Sequence, residues 1–288
     1  MVTGNAEMYV ANVQLCKMTN ELNKIISDLG PLHKSNIYEI LMGETLSIEG
    51  GDNTFRFHAP SKLLKYRAKT FFEKEPETID WIDNYVEGVF WDIGANIGLY
   101  SIYAAKTKNN ITVYSFEPSS TNIYTLSKNI ILNNCSDKIN LMPVALTNKT
   151  GFQRLNLQNL EEGNALNAFG VNYDYNGEEF DVDSSYSTYG TTIADLINKF
   201  DVPMPNHIKI DVDGIEHYIL KGGVDVLDND SVKTIQIEIN EEFIEQKEKI
   251  LRFMDDHNFE FIHKKQGPEF VGSKYQMNFN YLFKKLIL

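Results

Sequence analysis

Apolar and polar positions along this chain keep two alternating periods, and the changes between them lay out a succession of strands and helices. Val89 to Trp91 with Ile93, Ile111 to Phe116, Ile208 to Ile210 and Thr234 to Asn240 are short β-branched and aromatic runs bounded by turn residues. That is the pattern of strands buried on both faces. Between them, Leu99 to Ala105 and the stretch from about Thr121 read as helices, with Ser119 or Ser120 as the cap of the second. Strands alternating with helices predict a parallel sheet covered on both sides. Val271 to Phe283 contains Asn278 to Phe283, which predicts an antiparallel final strand. The expected architecture is α/β, a seven-stranded mixed sheet with helices on both faces and no internal repeat.

Three stretches stand apart. In residues 1–60, Leu22, Ile25, Ile26 and Leu29 keep helical spacing within Met18 to Leu29, and Gly30-Pro31 ends that helix. Thr45 to Ile48 and Thr54 to Phe57 flank Gly50-Gly51-Asp52-Asn53, a hairpin pattern. Residues 1–60 are therefore expected as a helix and hairpin serving as lid, packing layer or dimer contact, with the main domain over 61–288. Pro76, Glu77 and Thr78 predict the start of a helix carrying Ile79, Trp81, Ile82 and Tyr85. The third stretch, about 158–191, is rich in Asn, Gly, Ser, Tyr and acids, including Asn164, Asn167, Asn172, Tyr173, Tyr175, Tyr186 and Tyr189. A loop this long inside a compact domain is usually functional or disordered. Short strands over Phe152 to Leu157 and Glu179 to Val182 are expected around it, and its place between sheet strands lets it fold over the substrate side.

The chemistry concentrates where strands end. Asp92 closes the first strand, and Gly94 and Gly98 open a turn that runs into a helix. A dinucleotide fingerprint places an early glycine where this chain has Asp92, so that backbone can approach a pyrophosphate. An anion there suits a cationic or amine-bearing ligand, such as the sulfonium and ammonium of S-adenosylmethionine. Glu117 ends the next strand, roughly 20 residues past the glycine turn, where a carboxylate accepts both ribose hydroxyls. Pro118 stops that strand. Asp211 ends the strand Ile208 to Ile210, and Glu216 stands in the first turn of the following helix, where the macrodipole favours negative charge. Glu238 faces away from Ile237 and Ile239 near the end of its strand, and an acid on a central strand is costly unless paired or functional.

Four segments in order, Asp92-Ile-Gly-Ala-Asn-Ile-Gly98, Phe116-Glu-Pro-Ser119, Pro143-Val-Ala-Leu146 and Lys209-Ile-Asp-Val-Asp-Gly-Ile-Glu216, resemble the FkbM family of S-adenosylmethionine-dependent methyltransferases over about residues 88–265. Many members carry Glu where this chain has Asp213. The resemblance implies a class I methyltransferase Rossmann-like fold and methylation of a hydroxyl oxygen on a sugar, glycan precursor or secondary metabolite. It implies S-adenosyl-L-methionine held by Asp92, Gly94, Ala95, Asn96, Gly98, Glu117, Pro118, Ser119, Asn122, Ala145 and Asp211, with S-adenosyl-L-homocysteine as product. Glu75 lies outside the resemblance, in the segment that must stand beside the Asp92 turn, where its carboxylate either reaches the methionine ammonium of the cofactor or only supplies negative charge to a helix start. Methyl transfer is an in-line displacement in which alignment supplies much of the acceleration and a base need only take the hydroxyl proton. Asp211, Glu238 and His217 are the candidate bases. Asp211 with Glu238 also suits a divalent cation, but no third ligand converges in the sequence, and no metal is expected.

Composition narrows the partners. A formal charge of −13 over 288 residues disfavours a nucleic-acid substrate, which calls for a basic footprint. Hydrophobic content of 42% with 12% aromatics supplies one large core. Cys16 and Cys135 form no metal or redox spacing and read as reduced thiols. There is no signal-peptide pattern and no apolar run of spanning length, so a cytoplasmic protein acting on a small-molecule or carbohydrate acceptor is expected, with no membrane insertion. Three alternatives carry a discriminating observation. A nicotinamide oxidoreductase would bind the other cofactor, a scaffold would not turn over, and a nitrogen methyltransferase would give a different product.

Overall fold

The structure is a computed structural model and describes residues 17–179 and 181–286. It divides into two compact units, 1–44 and 45–288. In the first, residues 17–28 are helical, as the spacing of Leu22, Ile25 and Ile26 predicts. A second helix, α1 (Pro31–Met42), begins at the proline expected only to end the first, since Pro is tolerated in a first helical turn. It buries none of its residues and leaves Leu32, Tyr38, Ile40 and Leu41 exposed. Cys16 lies outside the described residues.

The hairpin belongs to the larger unit, which begins at Thr45 rather than near residue 60. Strands β1 (Thr45–Gly50) and β2 (Asn53–His58) pair antiparallel around Gly51 and Asp52. The physical reason for the boundary is burial: Phe55 and Phe57 are fully enclosed with Phe71 and Tyr103, with ring centroids 5.6–5.9 Å apart in four pairings. Helix α2 (Lys62–Lys69) follows, capped by the Ser61 hydroxyl, then a short helix Phe71–Lys74 and α3 (Pro76–Tyr85).

The main sheet has seven strands: β3 (Gly88–Ile93), β4 (Ile111–Phe116), β5 (Ile139–Met142), β10 (His207–Ile210), β11 (Thr234–Asn240), β12 (Phe259–Lys265) and β13 (Asn278–Lys285). Their order is β12-β13-β11-β10-β3-β4-β5, and only β13 runs against the rest. The expected seven-stranded mixed sheet with an antiparallel final strand is therefore present, as the class I methyltransferase Rossmann-like fold. Helices α4 (Leu99–Thr107) and α5 (Ser120–Leu132) cross between its parallel strands. Ser119 precedes α5, but its hydroxyl meets Thr121 rather than a backbone N–H, so the expected side-chain cap is absent.

A second, four-stranded sheet carries β6 (Ala145–Leu146), β7 (Gly151–Leu157), β8 (Ala168–Phe169) and β9 (Ser184–Thr191) in the order β6-β9-β7-β8. The strand expected at Phe152 to Leu157 is β7, and its long partner is 184–191, inside the stretch expected to be irregular. Glu179 makes only an isolated bridge to Tyr173, and Phe180 lies outside the described residues. Helices α6 (Ile193–Phe200), α7 (Glu216–Lys221) and α8 (Ile244–Asp256) complete the unit. No helix of the described residues is long and apolar enough to cross a membrane.

Candidate active site

The parallel strands β3, β4, β10 and β11 deliver their carboxyl ends to one edge, where ligands of open α/β sheets sit. There β3 turns at Gly94, whose φ is +84° and whose missing Cβ would lie 1.8 Å from the Asp211 carbonyl oxygen. Only glycine lets the two strand ends approach this closely. The Gly94 and Ala95 N–H groups both donate to the Phe116 carbonyl at 3.0 Å, tying this turn to the end of β4.

Glu117 is 5% exposed, and each carboxylate oxygen accepts one backbone N–H: Oε1 from Ser119 and Oε2 from Asn96, both at 2.8 Å. Burial pushes its carboxyl up to about 7 against those two bonds. Each oxygen keeps a lone pair for a second donor. Beside it lies a slot walled by Phe116, Val144, Leu155, Phe169 and Ile215, with Ala145, Pro118 and Asn122 also on its surface. Two polar atoms of that lining, Asn164 Nδ2 and Asn167 Oδ1, are sealed from solvent with no hydrogen-bond partner. Paired carboxylate oxygens next to a flat apolar slot suit a diol joined to an aromatic ring.

Next to this slot opens a wider cleft. Gly94, Asn96, Asn164, Ala165, Asp211 and Asp213 line both. Asp211 and Glu238 stand on the wider wall, facing Tyr66, Arg67, Lys74 and Tyr275. Burial, then Asp211, Glu75 and Asp213, push the Glu238 carboxyl well above the usual carboxylate range. Asn278 Nδ2 donates to its Oε2 at 3.3 Å. Asp213, in the left-handed region at φ +61°, accepts the Leu166 N–H at 2.7 Å, and burial pushes it up to about 6.

Behind Asp211 sits a charge cluster. Lys209 is 2% exposed; its Nζ lies 2.6 Å from Asp211 Oδ2, 4.0 Å from Glu75 Oε2 and 5.0 Å from the Tyr100 ring centre. Burial opposes its charge, but Asp211, Glu75 and Asp92 hold it above its ordinary value. Burial likewise works to raise Glu75, yet the Lys74 and Lys209 ammoniums outweigh it and hold that carboxyl at about 2. Carboxylate oxygens of Glu75, Asp211 and Glu238 lie within 4.8 Å of one another, a convergence the sequence did not reveal. Two lysine ammoniums already compensate that cluster.

Of the expected site residues, Glu75, Gly94, Ala95, Asn96, Glu117, Pro118, Asn122, Ala145, Asp211 and Glu238 line this edge. Asp92, Gly98 and Ser119 stand behind it. The Asp92 carboxylate, 1% exposed, accepts the Ser101 hydroxyl at 2.5 Å and braces the turn from within. Gly98 makes room for Leu126, and Ser119 contributes its N–H to Glu117. His217 is the correction among the candidate bases: its ring packs 4.0 Å from Tyr218 and against Phe243, off the cleft, and burial lowers it to about 4. Asn164 and Asn167, expected beside an acceptor, enter the Glu117 slot, while Tyr186 braces the Pro118 turn by accepting the Ser120 N–H at 2.8 Å.

Residues 92–261 match the methyltransferase FkbM domain. The chain is 22% identical over 206 residues to the 31-O-demethyl-FK506 methyltransferase FkbM of Streptomyces tacrolimicus, covering 65% of this chain and 77% of that protein. Among solved structures it is similar to the methyltransferase FkbM of Methylobacillus flagellatus KT, with a TM-score of 0.46 and 15% identity over 68% of this chain. The match spans 43% of that structure's chain, less than half. A putative rRNA-methylase from Clostridium thermocellum gives a TM-score of 0.44 and 12% identity, covering 73% of this chain and 96% of its own.

Proposed function

Since the chain belongs to the FkbM methyltransferase family, and is a methyltransferase, we propose that it moves the methyl group of S-adenosylmethionine to a hydroxyl oxygen of a sugar, glycan precursor or secondary metabolite. The fit of the cofactor rests on the slot: Glu117 for the ribose diol, apolar walls for the base, and two unpartnered amide atoms at its lining. Glu75, just before α3, and Asp211, just after β10, line a recess with the turn after β3 and would meet the ammonium end. When bound, the cofactor supplies an electrophilic methyl on a sulfonium.

The observation that carries the oxygen reading is the pair Asp211 and Glu238 on the wall of the adjoining cleft. Asp211, fixed by Lys209, orients the acceptor hydroxyl. Glu238 takes its proton, because its crowded carboxyl has a proton affinity raised toward that of a working base. The cleft's tyrosines and asparagines offer ring faces and amides to a polyhydroxylated acceptor.

Glu238→Gln is expected to lower kcat by about 10²- to 10⁴-fold while cofactor affinity by calorimetry stays unchanged. Full turnover in both Glu238→Gln and Asp211→Asn, or a product methylated on nitrogen or carbon, would overturn the proposal.

A further inference from the structure

The two unpartnered amide atoms in the slot require an account. Buried polar atoms without a partner are rare and point to a group that completes them. Asn164 Nδ2 is a donor and Asn167 Oδ1 an acceptor, and both residues line the slot beside the Glu117 carboxylate. Their loop is anchored at several points. The Asn164 carbonyl accepts Asn96 Nδ2 at 2.9 Å and Asn122 Nδ2 at 3.0 Å, and the Gly163 N–H donates to Asn122 Oδ1 at 2.8 Å. Arg67 Nε holds the Gly163 carbonyl, and Thr125 holds Glu162 at 2.8 Å. Leu166 is kept at φ +63°, a conformation that a leucine adopts only where its surroundings impose it. A segment so restrained holds its side-chain amides in place before any ligand arrives.

We propose that Asn164 and Asn167 read the edge of the cofactor's adenine, Nδ2 of Asn164 donating to the ring N1 and Oδ1 of Asn167 accepting from the exocyclic amino group. This rests on the cofactor reading above and extends it: base recognition comes from the loop between β7 and β8. The adenine edge offers one acceptor and one donor, the complement of the two atoms. An inosine edge, with N1–H and O6, reverses both.

The test is calorimetry with S-adenosylhomocysteine and S-inosylhomocysteine on the full chain. Wild type is expected to favour the adenosyl ligand by at least about tenfold, the worth of one buried hydrogen bond. Asn167→Leu should weaken adenosyl binding by about tenfold and reduce that preference. Asn164→Asp, nearly isosteric and therefore compatible with the fold, turns the donor into an acceptor and should move the preference toward the inosyl ligand by about tenfold. If wild type binds S-adenosylhomocysteine but both variants keep its affinity and preference, the assignment of these residues is overturned and the cofactor reading stands. If wild type binds neither ligand, the cofactor reading fails, and the assignment with it.

Discussion

Glu117 holds the most consequential proton at the scale of single residues. Its carboxyl is raised from 4.5 to about 7 by burial, so ionising it opposes folding: the stability it allows is present below pH 4.5 and lost as pH rises through about 7. A ribose diol donates to both oxygens and favours the ionised form. Binding of S-adenosylhomocysteine should therefore tighten from pH 6 toward pH 8, by about tenfold per unit below the carboxyl's own value. In Glu117→Gln the affinity should be weaker and flat with pH; a wild-type affinity that falls across that range would contradict the assignment. Lys209 teaches a different lesson about single residues. In Ile208-Lys209-Ile210 the pattern predicts a buried strand and gives its lysine no role, yet Lys209 is the buried counter-charge of Asp211 and Glu75. Nothing local reveals that role, because its partners come from the end of its own strand and from residue 75.

Elements were legible wherever the pattern was local. Strands β3, β4, β10 and β11 and the turn after Asp92 follow from β-branched runs ended by Gly, Pro or acid, and they alone place Asp211, Glu117 and Glu238 on one edge. The strand β9 was missed because its Ser, Tyr, Thr and Gly residues lack an apolar face and depend on β7 for pairing. The loop holding Asn164 stands out in the sequence as an irregular, Asn-rich stretch, but its course does not, being shaped by Asn96, Asn122 and Arg67 from distant elements. The clearest test at this scale is the turn. Gly94→Ala puts a methyl 1.8 Å from the Asp211 carbonyl at a positive φ, so β3 and β10 must part at their ends. A loss of at least about 2 kcal/mol in urea unfolding is expected, together with loss of S-adenosylhomocysteine binding by calorimetry.

For the whole molecule, the division at residue 44 matters more than the one expected near 60. Residues 45–58 place Phe55 and Phe57 in the core, whereas α1 buries nothing. A chain lacking 1–44 keeps the hairpin and its two enclosed phenylalanines, and should bind S-adenosylhomocysteine. One lacking 1–60 loses two enclosed phenylalanines, each worth about 3–5 kcal/mol, and should melt far lower or aggregate. Equal melting of the two truncated chains would show that the hairpin is dispensable.

The wall shared by the two cavities has a kinetic consequence. Gly94, Asn96, Asn164, Ala165, Asp211 and Asp213 line both the narrow slot and the wider cleft. Whatever fills the slot sets the shape of that partition, so a seated methyl donor completes the surface that an acceptor meets. Turnover should follow a compulsory sequence, with the methyl donor entering first and S-adenosylhomocysteine leaving last. Initial-rate studies would then find the spent cofactor competing with S-adenosylmethionine but not with the acceptor, so the ratio of spent to fresh donor would throttle the enzyme however abundant its acceptor.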